Sequence, residues 1–230
     1  MEIIKKLKIK DWLIFFGFLF LFLYLDYFVV AFYYTLGSDL NNLTLFDKIV
    51  ILFSKYIILI IIFIIKDFKY LKEKWIDFIK NFKKYSLITF KNWFMGFLIM
   101  IISNVIISYF IKGIGQNEST VQSLIAKVPV IAFVLTTICA PIVEEMVFRK
   151  YLKDCVDRKV LYMILSGLIF GFIHTQIDVN ILELLLIIPY GALGFMFAKT
   201  INETDNIYPT IMVHMFHNGV LTLLAIWGLS

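Results

Sequence analysis

The chain has 230 residues, 61% of them hydrophobic and 17% charged, and its mean hydropathy is +0.88. Soluble domains average about 45–50% apolar residues even with Gly counted, so a soluble globular domain is excluded and one compact polytopic membrane bundle is expected. The formal net charge of +5 does not point to nucleic acid, because the lysines sit between apolar runs, where membrane topology accounts for them.

Residues 1–10 form a basic lead with Lys5, Lys6, Lys8 and Lys10. The first apolar run, 12–34, is long enough for a span, which needs about 20 residues. It is too long for the apolar core of a signal peptide, and no small-residue cleavage site follows it. The loop 37–47 carries Asp39 and Asp47 and no Lys or Arg. A second run covers 49–65. Residues 66–91 differ in kind: eight lysines alternate with Phe68, Tyr70, Trp75, Phe78, Phe82 and Tyr85, a pattern that predicts a basic amphipathic segment on an anionic membrane surface.

A third run covers 93–111, followed by a polar stretch with Gly113, Gly115, Asn117 and Glu118. The fourth run starts near Pro129 and ends in a basic turn with Lys150, Lys153, Arg158 and Lys159. The fifth and sixth cover 160–176 and 181–198, and a polar link, 199–206, leads to the seventh, 208–227. All are expected to be helical, because hydrocarbon does not tolerate unpaired backbone groups. The predicted fold is an all-α transmembrane bundle of about seven spans, or eight if a further span or re-entrant piece lies between Gly113 and Val128. It divides into N-terminal helices, 1–128, and a core, 129–230, that carries the candidate site. Basic loops alternate with loops almost free of Lys and Arg, which predicts a cytoplasmic N-terminus. Cys139 and Cys155 have no zinc-type spacing and are read as bystanders.

The fourth run contains Glu144, Glu145 and Arg149. A charged residue at mid-bilayer costs roughly 2.5–3.5 kcal/mol on insertion scales, so such residues are functional suspects. Glu145 and Arg149 are four apart and share a helix face, which predicts a structural ion pair. Glu144 lies about 100° round the helix and is free for chemistry. Glu144 and His174 are each fifteen residues from Lys159, so in an antiparallel hairpin they meet at one depth. His214 and Asn218 lie one turn apart on the seventh helix and reach a similar depth. His217 is rotated about 60° from His214 and is the weaker candidate, read as a hydrogen-bonded core residue. Phe170, one turn before His174, is read as packing beside it. Asp26 and Lys55, equidistant from the turn near Leu40 and Asn41, are expected to form a second, structural ion pair. The sequon-like Asn42-Leu43-Thr44 carries little weight, since such matches are common by chance.

A glutamate beside a histidine in a dry pocket can polarise water, and a second histidine with an amide donor can stabilise an oxyanion. That assembly hydrolyses amides. Metal-free water activation is favoured, so no cofactor is expected. The alternative is zinc or another divalent metal held by Glu144, His174 and His214 with one position open for water.

These residues resemble the motifs of the CAAX-processing and bacteriocin-processing intramembrane proteases, the CPBP or Abi family. The family's pattern reads here as Glu144-Glu145-x-x-x-Arg149, Phe170-x-x-x-His174 and His214-x-x-x-Asn218, in order and each inside an apolar run. The match covers about 129–219; the first part of the chain matches only in being hydrophobic. The resemblance implies an all-helical membrane peptidase with a cavity opening toward the cytoplasm or the lipid. It implies that Glu144 and His174 activate water, that His214 and Asn218 bind the oxyanion, and that Glu145 and Arg149 support them. The family has been described both as metalloproteases and as glutamate proteases.

The richness in Ile, Lys, Phe and Asn suits an AT-rich bacterial genome, and such a cell is not expected to make prenylated proteins. The expected substrate is therefore a membrane-associated leader, signalling or bacteriocin-type peptide, met by an integral protein of the bacterial plasma membrane. Its partners are that peptide and the lipid bilayer. Two other readings stay open: a non-catalytic immunity or partner-binding protein, and a proton-coupled transporter, although neither repeats nor broken helices are evident.

Overall fold

The computed structural model describes residues 8–37, 42–110, 116–175 and 181–228. Lys5, Lys6, Asp39, Leu40, Asn41, Gly113, Gly115 and the end of the predicted fifth span lie outside these residues. Among the described residues the chain is helical, and it is a polytopic membrane bundle. Helices α1 (Ile9–Thr35), α2 (Leu45–Lys80) and α3 (Phe82–Ile107) are followed by α4 (Gln116–Lys127). Then come α5 (Pro129–Cys155), α6 (Lys159–Ile173), α7 (Ile187–Thr204) and α8 (Tyr208–Ile226). Among the described residues six helices are long and apolar enough to cross a membrane: α1, α2, α3, α5, α7 with the turn before it, and α8. Their outward faces are apolar, with Phe16, Phe28, Ile65, Phe94 and Ile102 all exposed, as lipid contact requires.

Three boundaries differ from the sequence expectation. The basic segment 66–91 is helical: it comprises the part of α2 beyond a kink at Asp67, where φ is −115° and ψ 22°, and the first turns of α3. At this kink the Asp67 carboxylate accepts from Lys150 Nζ at 3.1 Å and from the Tyr151 hydroxyl. The fifth apolar run forms a helix of only 15 residues, α6, about 22 Å long against a hydrocarbon core of about 30 Å. The link 199–206 is largely the end of α7, which stops at Asp205 in the left-handed region, φ 49°. The twelve residues of α4 are too few for an eighth span.

The helix that carries the charges is the one at the centre. Within its most apolar stretch 56% of α5 is buried, against 11% of α1. Phe15, Phe18 and Phe22 of α1 and Leu59 and Phe63 of α2 pack on Val143, Met146, Val147 and Tyr151 of α5. On its other side, α6 and α7 cross closely through small residues. A Cβ added at Gly167 would stand 2.8 Å from the Gly191 carbonyl oxygen, and one at Gly171 2.6 Å from that of Ile187. Small residues let backbones approach in this way inside membranes.

One end of the bundle gathers most of the lysines and is laced by ion pairs. Lys8 reaches the Asp154 carbonyl at 2.7 Å and the Asp157 carboxylate at 3.2 Å. Lys74 of α2 and Lys153 of α5 hold Asp205 at 2.8 and 3.1 Å. The buried amide of Asn206 donates to the Lys74 carbonyl and the Asp77 carboxylate. At the other end Thr44 and Asp47 cap α2 reciprocally, with Asp47 N–H donating to Thr44 Oγ1 at 3.2 Å and Thr44 N–H to Asp47 Oδ2 at 2.9 Å, the arrangement known as a capping box.

Candidate active site

Pro141 has no N–H, so α5 cannot run through it as a regular ladder. The chain responds by widening: Leu135–Cys139 is wound as π-helix. The Thr136 carbonyl, five residues before the proline, accepts from Asn218 Nδ2 at 2.9 Å. A regular stretch, Ala140–Glu145, follows, and then a second π segment, Met146–Tyr151. Such π turns recur at functional sites. Here they bracket the two adjacent glutamates, which are buried with 7% and 0% exposure.

The two carboxylates have different surroundings. Glu145 Oε2 lies 3.3 Å from Arg149 Nε, as the four-residue spacing predicts. Its Oε1 lies 2.9 Å from His214 Nδ1, so the ring N–H donates to it. The fully buried Arg149 places its guanidinium carbon 4.3 Å from the Phe170 ring centre and 5.5 Å from that of Phe197, where the ring faces favour a cation. Glu144 faces a cavity. His214 Nε2 lies 3.7 Å from its Oε2, beyond direct hydrogen-bond reach.

His174 caps α6. Its Nδ1 lies 2.7 Å from the Phe170 carbonyl oxygen, and because a carbonyl only accepts, Nδ1 carries the hydrogen and Nε2 is left as the acceptor. The ring stacks on Tyr190 of α7, with centres 4.7 Å apart and planes 21° apart, and packs on Phe170 at 4.4 Å. Phe170 therefore does more than fill space, since it separates Arg149 from His174 and fixes the latter through its carbonyl.

Glu144, His174, His214 and Asn218 all line one cavity of about 490 Å³. The residues singled out in sequence thus come to one place, from α5, α6 and α8. Asn218 has one amide N–H committed to the broken ladder of α5. His217 also lines the cavity, and accepts at Nδ1 from Trp93 Nε1 at 3.3 Å. Lys55 and Asp26 approach to 3.9 Å, with the ammonium 4.9 Å from the Phe22 ring centre. Sequence reasoning passed over Tyr56 and Tyr190, both in the cavity wall. Tyr190 stands sixteen residues after His174, and nothing in that spacing marks it. Tyr56 follows Lys55 directly, and nothing in the sequence sets it apart from the other aromatics of that run, Phe53 and Phe63.

Among the described residues no three His, Cys, Asp or Glu side chains are grouped as a metal-ligand set. Cys139 and Cys155 are free and buried, and neither lines the cavity.

An apolar helical bundle with this buried acid and imidazole cluster is an integral membrane protein with a candidate site in its core. The family model for type II CAAX prenyl endopeptidases, Rce1-like, matches residues 126–220. The protein named "Putative membrane peptidase YdiL" of Bacillus subtilis (strain 168) is 28% identical over 139 residues, 57% of this chain and 54% of that one. The UPF0177 protein YbdI of Lactococcus lactis subsp. lactis is 25% identical over 183 residues, 76% of this chain and 96% of its own. The chain thus spans about half the length of YdiL and nearly all of YbdI. No solved structure gives a significant match. Together these matches support a CPBP-type family for this chain.

Proposed function

We propose that the protein is an intramembrane endopeptidase that cuts a membrane-associated leader, signalling or bacteriocin-type peptide in a bacterial plasma membrane. The observation that carries this reading is the convergence of Glu144, His174, His214 and Asn218 on one cavity. Water between Glu144 and the acceptor Nε2 of His174 attacks the peptide carbonyl while the Glu144 carboxylate takes its proton. A C–O bond forms and the carbonyl becomes a tetrahedral oxyanion. The remaining Asn218 N–H donates to that charge, and His214 Nε2 donates to it with the ring carrying both protons, since Nδ1 keeps its own on Glu145. Glu144 then returns the proton to the leaving nitrogen as the C–N bond breaks. Glu145 acts at one remove: it holds His214 by Nδ1 so that Nε2 faces Glu144.

The test compares the peptides released by cells carrying the wild type with those carrying Glu144→Gln. A positioned general base contributes about 10²–10⁴-fold, so at least one product should vanish while the protein remains folded in the membrane. Products identical in the two strains reject the role of Glu144. A membrane protein that binds a peptide without cutting it is the outcome if a phenotype survives Glu144→Gln and His174→Ala alike.

A further inference from the structure

The cavity does not lie on the lysine-rich side of the site. Glu144, Phe197 and His214 form its inner end. From there its wall follows α8 toward its C-terminus, through Leu221 to Ala225, and α3 through Asn104 to Ser108. α3 begins beside Asn81 at the lysine-rich end and α8 begins beside Asn206 at the same end. Both walls therefore lead away from the lysines, toward α4, where Glu118 and Val121 line the cavity. None of its described lining residues is Lys or Arg.

The opposite direction is filled. Between the glutamates and the lysine-rich turns lie Phe148, Tyr151, Leu152, Tyr162, Ile201 and Ile207, each 3% exposed or less. Beyond them, Asp67 is bound by Lys150 and Tyr151, and Asp205 by Lys74 and Lys153. Packed protein interiors leave few voids wider than a water molecule, so no route for a peptide leads through this plug. Lysine-rich loops mark the cytoplasmic side of membrane proteins, which here sets the plug toward the cytoplasm and the cavity toward the outer face.

We infer that the site is filled from the outer side of the membrane, and that its substrate is a peptide already exported or seated in the outer leaflet. This differs from the cytoplasmic or lipid-side opening that family likeness implies. As a statement about substrate it rests on the peptidase reading above. Its test reads water access alone and needs no cleavage, so the two can fail separately.

The test uses the full chain in intact cells, with Cys139→Ala and Cys155→Ala removing the native thiols. Single cysteines are placed at Ala140, one turn before Glu144 in the cavity wall, at Ala225 farther along it, and at the exposed Lys72 of the lysine-rich end. A membrane-impermeant methanethiosulfonate is added from outside. Ala140→Cys and Ala225→Cys should react in intact cells, and Lys72→Cys only after permeabilisation. Labelling of the two cavity positions only from the cytoplasmic side overturns the inference, as does labelling of Lys72→Cys in intact cells or no labelling of the cavity positions from either side. Should Ala140→Cys not accumulate as folded protein, Ala225→Cys decides the matter alone.

Discussion

Glu144 and Glu145 are neighbours in sequence and opposites in environment. Glu145 carries two charged or polar partners, Arg149 and His214, with no exposure to solvent, whereas Glu144 looks into a cavity. Removing one member of a buried ion pair leaves the other charge without compensation and costs about 3–5 kcal/mol. Glu145→Gln should therefore lower thermal stability in detergent severely and release His214. Glu144→Gln keeps volume and shape and should leave the melting temperature near that of the wild type while abolishing cleavage. Equal melting temperatures for the two variants would remove the division of labour. Part of this was legible in the sequence: the four-residue spacing sets Glu145 on Arg149, and equal distances from Lys159 set Glu144 level with His174. The contact from Glu145 to His214 was not, because it depends on the rotation of α8 against α5, which spacing within either helix does not encode. Nor was the commitment of the Asn218 amide to Thr136, although Pro141 signalled that some carbonyl of α5 would lose its donor.

At the scale of elements, periodicity and length located the helices but not their ends. The turn at Asn81 carries too little polar sequence to break a run of lysines and aromatics, so the division of the basic segment between α2 and α3 was hidden. The shortness of α6 was hidden for another reason: no Gly or Pro follows Ile173 to mark a stop, and the helix ends where the imidazole takes the Phe170 carbonyl. What positions His174 is the close crossing of α6 and α7, whose basis is the absence of side chains at Gly167, Gly171, Gly191 and Gly194. At Gly171 an added methyl meets a backbone oxygen, which cannot rotate away. Gly171→Ala should thus force the helices apart, at about 1–3 kcal/mol for overpacking, and pull His174 from its stack on Tyr190. Cleavage should fall along with the melting temperature. Gly17 in α1 has nothing within 4 Å of an added Cβ, so Gly17→Ala should change neither by more than about 0.5 kcal/mol. A Gly171→Ala protein as stable and active as the Gly17→Ala protein would show that the crossing has slack.

Across the whole molecule the two ends are built differently. The end opposite the lysines holds the cavity, while the lysine-rich end is tied by side chains that join helices far apart in sequence. Asp205 is the clearest such tie, since it links α2 and α5 to the turn between α7 and α8. Partial burial alone would raise its pKa, but the hydrogen bonds and charges of Lys74 and Lys153 outweigh that and hold it below the usual carboxylate range. A carboxyl whose pKa is depressed on folding adds stability that is complete above its unfolded pKa, about 3.9, and is lost as pH falls through the lower folded value. The tie should accordingly be constant from pH 8 down to about 5 and weaken below about 4. Its side chain is 76% exposed, so solvent screening limits the loss to well under about 1 kcal/mol. Too small to unfold the bundle, the change should appear locally. Hydrogen exchange around residues 203–208 should quicken on acidification below about pH 4, while exchange in the middle of α5 stays unchanged. In Asp205→Asn the same segment should exchange quickly at neutral pH and respond little to acid. An acid response of equal size in that variant would assign the effect to another carboxylate at this end, with Asp67 and Asp77 the next to replace.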